Sequence, residues 1–178
     1  MKETIKEILK FVIIAAIIII PIRTYIAKPF IVKGASMDPT FASGQYLLVD
    51  EISYRFEEPK RGDIVVFKYP KDEKVDFIKR IIGLPGDEVL VKGQNVSIKN
   101  ASSTIEIKLN EPYVIYNNDS DTDTVLGRDQ YFVMGDNRAN SLDSRAWGPV
   151  SKDLIIGRVF LRLLPIDKIS VFPGAYTN

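Results

Sequence analysis

An uninterrupted apolar run near the N-terminus constrains the fold of this chain most strongly. Residues 11–22 read FVIIAAIIIIPI, 12 residues without a charge. Counting outward to Ile8 and Ala27 gives 20 residues that include Lys10 and Arg23, both towards the ends, where long side chains can reach a membrane interface. A helix needs about 20 apolar residues to cross a bilayer. The sequence therefore predicts one N-terminal transmembrane helix.

Two other interpretations of this run stay open. A cleaved leader peptide has the same basic start and short apolar centre, but it requires small residues before the cut, and Tyr25 and Ala27 fit that requirement poorly. A buried core helix would carry a polar face, which residues 11–20 lack. Three basic residues precede the run and three follow it by position 33, so charge bias leaves the orientation undecided.

The remainder of the chain has the pattern of a β protein. Short β-branched segments alternate with Gly/Pro turns, which is typical of an antiparallel β-barrel or sandwich. Strands are expected at Phe30–Lys33, Tyr46–Val49, Asp63–Lys68, Asp76–Ile82, Glu88–Lys92, Asn95–Lys99, Thr104–Lys108, Gln130–Met134 and Ile155–Arg162.

These patterns divide the chain into two parts. Residues 1–28 are predicted to form a cytoplasmic stub and membrane anchor, and residues 29–178 a mainly β domain with a small β insertion over about 88–128. The polar segment Asn117–Thr124 is expected to be a mobile loop.

Composition excludes several classes of chemistry. The chain has no histidine and no cysteine, so Ser-His-Asp catalysis, thiol nucleophiles, zinc–thiolate sites and disulfides are impossible. A net charge of +1 gives no basic field for nucleic acid. A hydrolase built from these residues must use Ser, Thr, Lys, Asp or Glu, or a metal held by carboxylates.

Without histidine, a serine nucleophile needs another base, and lysine is suitable only when its amine is neutral. Its pKa must then fall from about 10.4, usually through desolvation. Lys79 is a candidate because Phe77, Ile78, Ile81 and Ile82 surround it. On pattern alone, however, Lys79 and the next residue, Arg80, also fit an exposed basic pair, since lysines are seldom buried.

The matching serine should lie on a turn beside a strand end, with small neighbours. Ser36 fits this description in the segment 34–40, GASMDPT, because Gly34 and Ala35 leave space for a substrate carbonyl and Pro39 favours a turn. A third polar segment, 135–145, has side chains that brace loops, and Asp143 and Arg145 can pair within it.

These segments together resemble the bacterial type I signal peptidases, which are membrane-anchored Ser/Lys proteases. The similarity runs from the predicted anchor to about Pro165, and the short chain with a single anchor is similar to members from Gram-positive bacteria. The matching blocks occur in the family's order: residues 34–40 (GASMDPT), 61–67 (RGDIVVF), 77–87 (FIKRIIGLPGD), 135–138 (GDNR) and 144–145 (SR).

The resemblance implies a role for each matching residue. Ser36 would be the nucleophile and Lys79 the general base, and Ser141 would hydrogen-bond the lysine amine and orient it, while Asp143 and Arg145 would support the site. The pockets for small substrate side chains would be formed by Phe30, Val32, Met37, Asp76, Phe77 and Ile78. One departure is Gly34, where some members have a serine that completes the oxyanion hole.

The resemblance also implies partners and a location. Secretory preproteins with signal peptides would be the substrates, with membrane lipid and the secretion translocon nearby, and neither metal nor cofactor would be required. The chain would be a single-pass protein of the cell membrane with an extracytoplasmic catalytic domain.

Three other functions stay open at this point. An acid protease could use two of Asp63, Asp136 and Asp143 as a dyad that shares a proton. A non-catalytic, membrane-tethered β module could bind extended peptides or a partner protein. A self-cleaving Ser/Lys regulator would carry a DNA-binding domain or a cleavable arm where this chain has its apolar run.

Overall fold

The computed structural model describes residues 2–21, 27–100 and 105–175. Two α-helices occur in these ranges, α1 (Lys2–Pro21) and α2 (Ser144–Trp147). The strands are β1 (Ala27–Ile31), β2 (Tyr46–Asp50), β3 (Ile64–Tyr69), β4 (Asp72–Gly83), β5 (Asp87–Gly93), β6 (Asn95–Asn100), β7 (Glu106–Lys108), β8 (Ser120–Val125), β9 (Gln130–Met134), β10 (Val150–Ser151), β11 (Ile155–Leu164) and β12 (Ser170–Val171). Short 3₁₀ helices lie at Ser53–Arg55, Arg138–Asn140, Lys152–Leu154 and Ile166–Lys168.

The strands form two antiparallel sheets. The first has the order β1-β2-β11-β3-β4-β9-β10, with β12 added to β11, and the second has the order β7-β6-β5-β8. A tight turn between Gly83 and Asp87 carries the chain from β4 of the first sheet into β5 of the second. The prediction of a mainly antiparallel β fold is therefore confirmed.

Alternating side chains on β3 and β4 divide the hydrophobic core. Ile64, Val66 and Ile78 pack into one cluster, whereas Val65 and Phe67 pack with Ile81 into another. Because successive residues of a strand point to opposite faces, this central strand pair is buried on both sides. A lysine in the buried part of either strand is therefore surrounded by apolar side chains, whichever face of the sheet it points to.

A third cluster joins the two sheets. Ile82, Phe132 and Met134 from the first sheet pack against apolar side chains of the second, namely Val89, Val91, Val96, Ile98 and Leu126. Burial of this contact holds the second sheet against β4 and β9.

The polar segment 117–124 is not simply a loop, and the sequence-based expectation is wrong there. Ser120–Val125 forms β8, which pairs along its whole length with β5. Its residues alternate between half-buried and exposed. Pairing with β5 satisfies the backbone groups along one edge of β8, and one face of the strand is half-buried. Together these contacts outweigh the low strand propensity of the two aspartates.

Strand ends also differ from the prediction. β1 begins three residues earlier than expected and ends before Lys33, β4 begins at Asp72 rather than Asp76, and the short strands β10 and β12 had no recognised signal. The start of the strand expected at Thr104 lies outside the described residues.

Helix α1 covers most of the predicted anchor, and the described side chains from residue 4 to residue 14 are exposed. In the part of the chain that the structure describes, no helix combines the length and the apolar character needed to cross a membrane. Residues 22–26, which the anchor prediction includes, lie outside the described residues.

The contact between the two sheets generates a stability prediction at Gly83. A Cβ on this residue would overlap Val89 Cγ2 and lie 2.7 Å from Leu126 Cδ1 and 3.0 Å from Phe132 Cβ. We expect Gly83→Ala to lower the free energy of unfolding by about 1–3 kcal/mol through overpacking, measured by urea denaturation. The control is Gly127→Ala, whose Cβ would meet only the flexible Gln130 side chain, at 3.1 Å or more. Equal stability of the two variants would contradict the tight packing at Gly83.

Candidate active site

The structure brings Ser36 and Lys79 into direct contact. Lys79 Nζ donates a hydrogen bond of 2.7 Å to Ser36 Oγ and a second, of 3.0 Å, to the carbonyl of Ile78. The two residues are 43 positions apart in the chain. An alcohol and an amine at this distance can exchange a proton directly, which is the geometric requirement for a nucleophile and its base.

The surroundings of Lys79 favour its neutral form. The residue is only 4% exposed and its Nζ lies 5.2 Å from the centroid of the Phe77 ring. Desolvation by burial lowers the pKa of Lys79 to about 8, although the negative charges of Asp143 and Asp136 act in the opposite direction. A substantial fraction of this amine is therefore neutral at mildly alkaline pH, as a general base requires.

Ser36 lies in the turn that follows β1. Gly34 has a φ of +88°, a conformation that favours glycine, and lets the chain leave the strand sharply. Ser36 is half-buried, and its carbonyl accepts a hydrogen bond of 3.0 Å from the Asn137 backbone N–H. The turn is thereby attached to the loop after β9, which belongs to the same sheet as the strand of Lys79.

Two buried ion pairs brace that loop. Arg145 Nε donates to Asp143 Oδ1 at 2.8 Å, and Arg145 Nη2 donates to Asp143 Oδ2 at 2.9 Å. Arg80 makes an equivalent two-point contact with Asp136, at 2.8 and 2.7 Å. Burial alone would raise the pKa of Asp143, but the hydrogen bond and charge of Arg145 hold it below its ordinary value. The Asp143 carboxylate is thus kept in its charged form beside Arg145.

These contacts also bear on the acid-dyad alternative. Asp136 is held by Arg80 and Asp143 by Arg145, while Asp63 accepts from Tyr54 Oη at 2.7 Å and from the Lys60 N–H at 2.9 Å. A shared-proton dyad needs two carboxyl groups in mutual contact. Each of these carboxylates instead has its own donors, and this arrangement does not favour an acid protease.

Ser141 has the right position but lacks the predicted contact. Its Oγ makes no hydrogen bond with the Lys79 amine, whose partners among the described residues are Ser36 Oγ and the Ile78 carbonyl. The hydroxyl helps to lower the pKa of Asp143, although none of its contacts in the described part of the chain has full hydrogen-bond geometry. Gly135 leaves room for both Ser141 Oγ and the Ser36 carbonyl oxygen beside its backbone, because a Cβ at this position would overlap both atoms.

A groove of about 730 Å³ opens beside the dyad. Its walls are formed by β1, the turn that carries Ser36, and the first half of β4, with Asn140 and Leu142 at one side. The predicted pocket residues Phe30, Asp76, Phe77 and Ile78 all line it.

The other two predicted pocket residues do not line the groove. Val32 is 2% exposed and Met37 1% exposed, and both belong to the hydrophobic core. Alternation after Ile31 directs the Val32 side chain inward, and the turn at Ser36 directs Met37 into the same cluster. In this structure the two side chains are therefore part of the core, and their contact with substrate stays a prediction.

Three contributors to the site had no role assigned from the sequence. Arg80 is fully buried rather than part of an exposed basic pair, Gly135 leaves room for two serines, and Asn137 binds the turn of Ser36. Gly135 and Asn137 belong to the GDNR block, so the sequence indicated that these residues lie near the site. It did not show which residues they contact. Among the described residues, no group of three or more acidic side chains is placed to hold a metal ion.

Comparison with known proteins places these features in a family. A family model described as "Signal peptidase, peptidase S26" matches residues 5–164. A Synechocystis sp. protein named Probable signal peptidase I-2 is 39% identical over 171 residues, which cover 93% of this chain and 76% of that protein. Signal peptidase I P of Bacillus subtilis subsp. natto is 36% identical over 180 residues, with 94% of each chain covered.

Two further matches are of the same kind. Signal peptidase IB of Staphylococcus aureus is 32% identical over 185 residues, covering 92% of this chain and 93% of the relative. A crystal structure of a signal peptidase I from Enterococcus faecalis matches with a TM-score of 0.49 and 28% identity, covering 58% of this chain and 97% of that one.

The burial of Lys79 generates a prediction that is independent of turnover. A pKa lowered from 10.5 to about 8 means that the folded protein disfavours the protonated amine by about 3 kcal/mol. Below pH 8 the amine is protonated in both states and the cost is fully present, whereas it disappears as pH rises towards 10.5. We therefore expect Lys79→Met to raise the free energy of unfolding near neutral pH by about 1–3 kcal/mol.

Urea denaturation at several pH values checks this expectation. The difference between Lys79→Met and the original chain should shrink between pH 8 and 10.5. Lys71→Met, at an exposed position, is the matched control and should show no such trend. A Lys79→Met variant that is less stable at neutral pH would contradict a desolvation cost.

Proposed function

Because the chain belongs to the signal peptidase family, peptidase S26, we propose that Ser36 is the nucleophile and Lys79 the general base of its reaction. The family consists of serine endopeptidases that cleave signal peptides, and this chain is one of them. The assignment of residues is supported above all by the 2.7 Å contact between Lys79 Nζ and Ser36 Oγ in apolar surroundings.

The reaction follows from this geometry in two stages. Neutral Lys79 takes the proton of Ser36 as Oγ attacks the carbonyl carbon of the scissile peptide bond, and a tetrahedral oxyanion forms. The Lys79 ammonium then gives that proton to the leaving amine, and the C–N bond breaks to leave an ester on Ser36. Neutral again, Lys79 accepts a proton from a water molecule as its oxygen attacks the ester carbonyl carbon. The C–O bond to Ser36 then breaks, and the Lys79 ammonium returns the proton to Ser36 Oγ, so that both residues regain their starting forms.

The oxyanion needs hydrogen-bond donors that are already in position. The Ser36 backbone N–H is the donor nearest in the chain to the attacking oxygen, as in other serine peptidases. Gly34 has no hydroxyl to contribute, and among the described residues no atom beyond its two chain neighbours lies within 4 Å of the position that its Cβ would occupy. The Ser36 N–H therefore carries a larger share of the oxyanion's stabilisation here.

The groove suits an extended peptide. β1 lies at one end of the strand order of the first sheet, and its outer edge borders the groove. A substrate segment can add to this edge as a strand, with alternate side chains directed into the groove. Phe30, Phe77 and Ile78 make apolar walls beside Ser36, which favours small apolar residues before the cleaved bond.

Membrane attachment is part of the proposal. The apolar side chains of Phe11, Val12, Ile13 and Ile14 are all about half or more exposed on α1. A lipid environment would remove this surface from water. We place the chain at the cell membrane as a single-pass protein, with its catalytic domain on the extracytoplasmic side near the secretion translocon.

The non-catalytic alternative explains less. A module that only binds peptides has no use for a buried lysine in contact with a serine, because the desolvated amine costs stability. The family to which the chain belongs likewise does not favour it.

Substitution of the two residues tests the assignment. We expect Ser36→Ala and Lys79→Ala each to reduce cleavage of a purified secretory precursor by at least about 10³-fold, since each removes an essential partner in proton transfer. Product formation is followed by N-terminal sequencing of the mature protein, and both variants should remain folded and in the membrane fraction. Ser151→Ala and Lys71→Ala, at exposed positions outside the groove, are the matched controls. Appreciable turnover by Lys79→Ala would remove the lysine from its proposed role.

The pH dependence of the reaction gives an independent test. Since only the neutral amine can act as the base, kcat/KM should be low at acidic pH and rise to a plateau through an apparent pKa of about 8. The measurement uses a fluorogenic signal-sequence peptide with the full chain in detergent. A rising limb near the pKa of free lysine would be inconsistent with a desolvated base.

A further inference from the structure

Asn137 joins the end of β9 to the turn that carries Ser36. Its side-chain Nδ2 donates a hydrogen bond of 3.0 Å to the Ala35 carbonyl, and its backbone N–H donates to the Ser36 carbonyl at 3.0 Å. Its Oδ1 accepts from the Asn140 N–H at 3.1 Å. The residue is only 3% exposed. One buried side chain and its own backbone thus hold the carbonyls on either side of the proposed nucleophile.

The Ala35 carbonyl and the Ser36 N–H belong to the same peptide group. The Ala35–Ser36 bond is trans, because the cis bonds among the described residues are Asp38–Pro39 and Leu164–Pro165. A trans peptide group is planar, with its N–H directed opposite to its C=O. A bond that fixes the Ala35 oxygen therefore fixes the direction of the Ser36 N–H, for which no acceptor occurs in the described part of the chain.

This link lets us assign a role to Asn137. Building on the Ser36–Lys79 assignment above, we propose that Asn137 is a positioning residue that aims the Ser36 N–H at the oxyanion. By donating to the carbonyl of the same peptide group, its amide also polarises the group and makes the N–H a stronger donor. Asn137 acts through this peptide group: it is not among the described residues that line the groove, and the Lys79 amine bonds instead to Ser36 Oγ and the Ile78 carbonyl.

The local turn alone holds this peptide group weakly. The Ala35 carbonyl also accepts from the Asp38 N–H, at 3.2 Å, but that bond lies inside the turn and moves with it. Gly34, on the other side, has the largest backbone freedom of any residue type. Other contacts hold the turn as a whole, but among the described residues the Asn137 side chain is what binds this peptide group from outside the turn. Asn137 in turn follows β9, which pairs with β4 through Met134 and Arg80, next to Lys79.

The test compares binding of the transition state with binding of the ground state in Asn137→Ala. This variant keeps the backbone bond to Ser36 and removes only the side-chain contacts. Turnover of a signal-sequence peptide gives kcat and KM. Two probes of the same sequence are added: a peptide ending in an alanine aldehyde, which forms a tetrahedral adduct with the serine, and the matching peptide amide, which does not.

We expect kcat to fall about 10- to 100-fold, less than for complete loss of an oxyanion donor. Affinity for the aldehyde should fall by a similar factor. KM, affinity for the amide and the pKa of the rising limb of kcat/KM should remain unchanged, because Asn137 is uncharged, is not among the described residues that line the groove and has no hydrogen bond with the Lys79 amine there. Asn95→Ala, the same substitution at an exposed position in the second sheet, should behave like the original chain.

Three results would overturn the proposal: an unchanged kcat, a raised KM at constant kcat, or a shifted pH limb. The first would mean that the turn holds itself, the second that Asn137 shapes the groove, and the third that it acts through Lys79. If Ser36→Ala and Lys79→Ala are inactive while Asn137→Ala is fully active, only the role of Asn137 is lost.

A second variant covers the case in which Asn137→Ala folds poorly. Asn137→Ser keeps a polar group at this buried position, but its hydroxyl is one bond shorter and cannot reach the Ala35 carbonyl. All values are referred to the folded fraction, determined by titration with an acylating penem. The ratio of aldehyde to amide affinity then decides the outcome for either variant, and an unchanged ratio refutes the proposal.

Discussion

The chemistry proposed for this protein depends on the removal of one amine from water. Lys79 lies on the central strand pair of the first sheet, where side chains on both faces are buried, and its pKa falls to about 8 as a result. A lysine in that position costs folding free energy, and no structural need of the sheet calls for it. A neutral amine has a use beside a group that must lose a proton, and Ser36 Oγ, 2.7 Å from Lys79 Nζ, is such a group in the proposed reaction.

The charges around Lys79 are arranged so that its pKa stays lowered. Asp136 and Asp143 both act to raise the pKa of the amine. Each is bound at two points by an arginine, Arg80 or Arg145, so most of its negative charge is offset locally. Buried ion pairs contribute little net stability, because desolvation cancels much of the attraction. Their function in this site is to fix the loop after β9 while limiting the field that reaches the lysine.

Much of the fold could be predicted, because strands depend on local pattern, and each strand expected from β-branched residues between turns has a counterpart. The local pattern made Lys79 a candidate but fitted an exposed basic pair as well, and the matching sequence blocks were needed to single out Ser36 and Lys79, which are in contact in the structure. The strand β8 was missed because its stability comes from pairing with β5, which a polar sequence does not reveal. Arg80 was missed for a similar reason: its partner Asp136 is 56 positions away, and no local signal distinguishes a buried arginine from an exposed one.

The differences between the predicted and the observed positions of Val32, Met37 and Ser141 have one physical origin. Residues near a nucleophile in sequence divide between groove and core according to backbone direction, so Phe30 lines the groove while Val32 and Met37 enter the core. Ser141 likewise reaches the site but not the lysine, because the loop that carries it is set by Asp143 and Gly135. Sequence identifies the residue types that the chemistry requires. The hydrogen bonds of these residues are set by the loop after β9. This loop contacts the turn of Ser36 and the strand of Lys79, and it contains at least one partner of each buried ion pair. A change in any of these contacts is therefore expected to alter the positions of Ser36 and Lys79 through that loop.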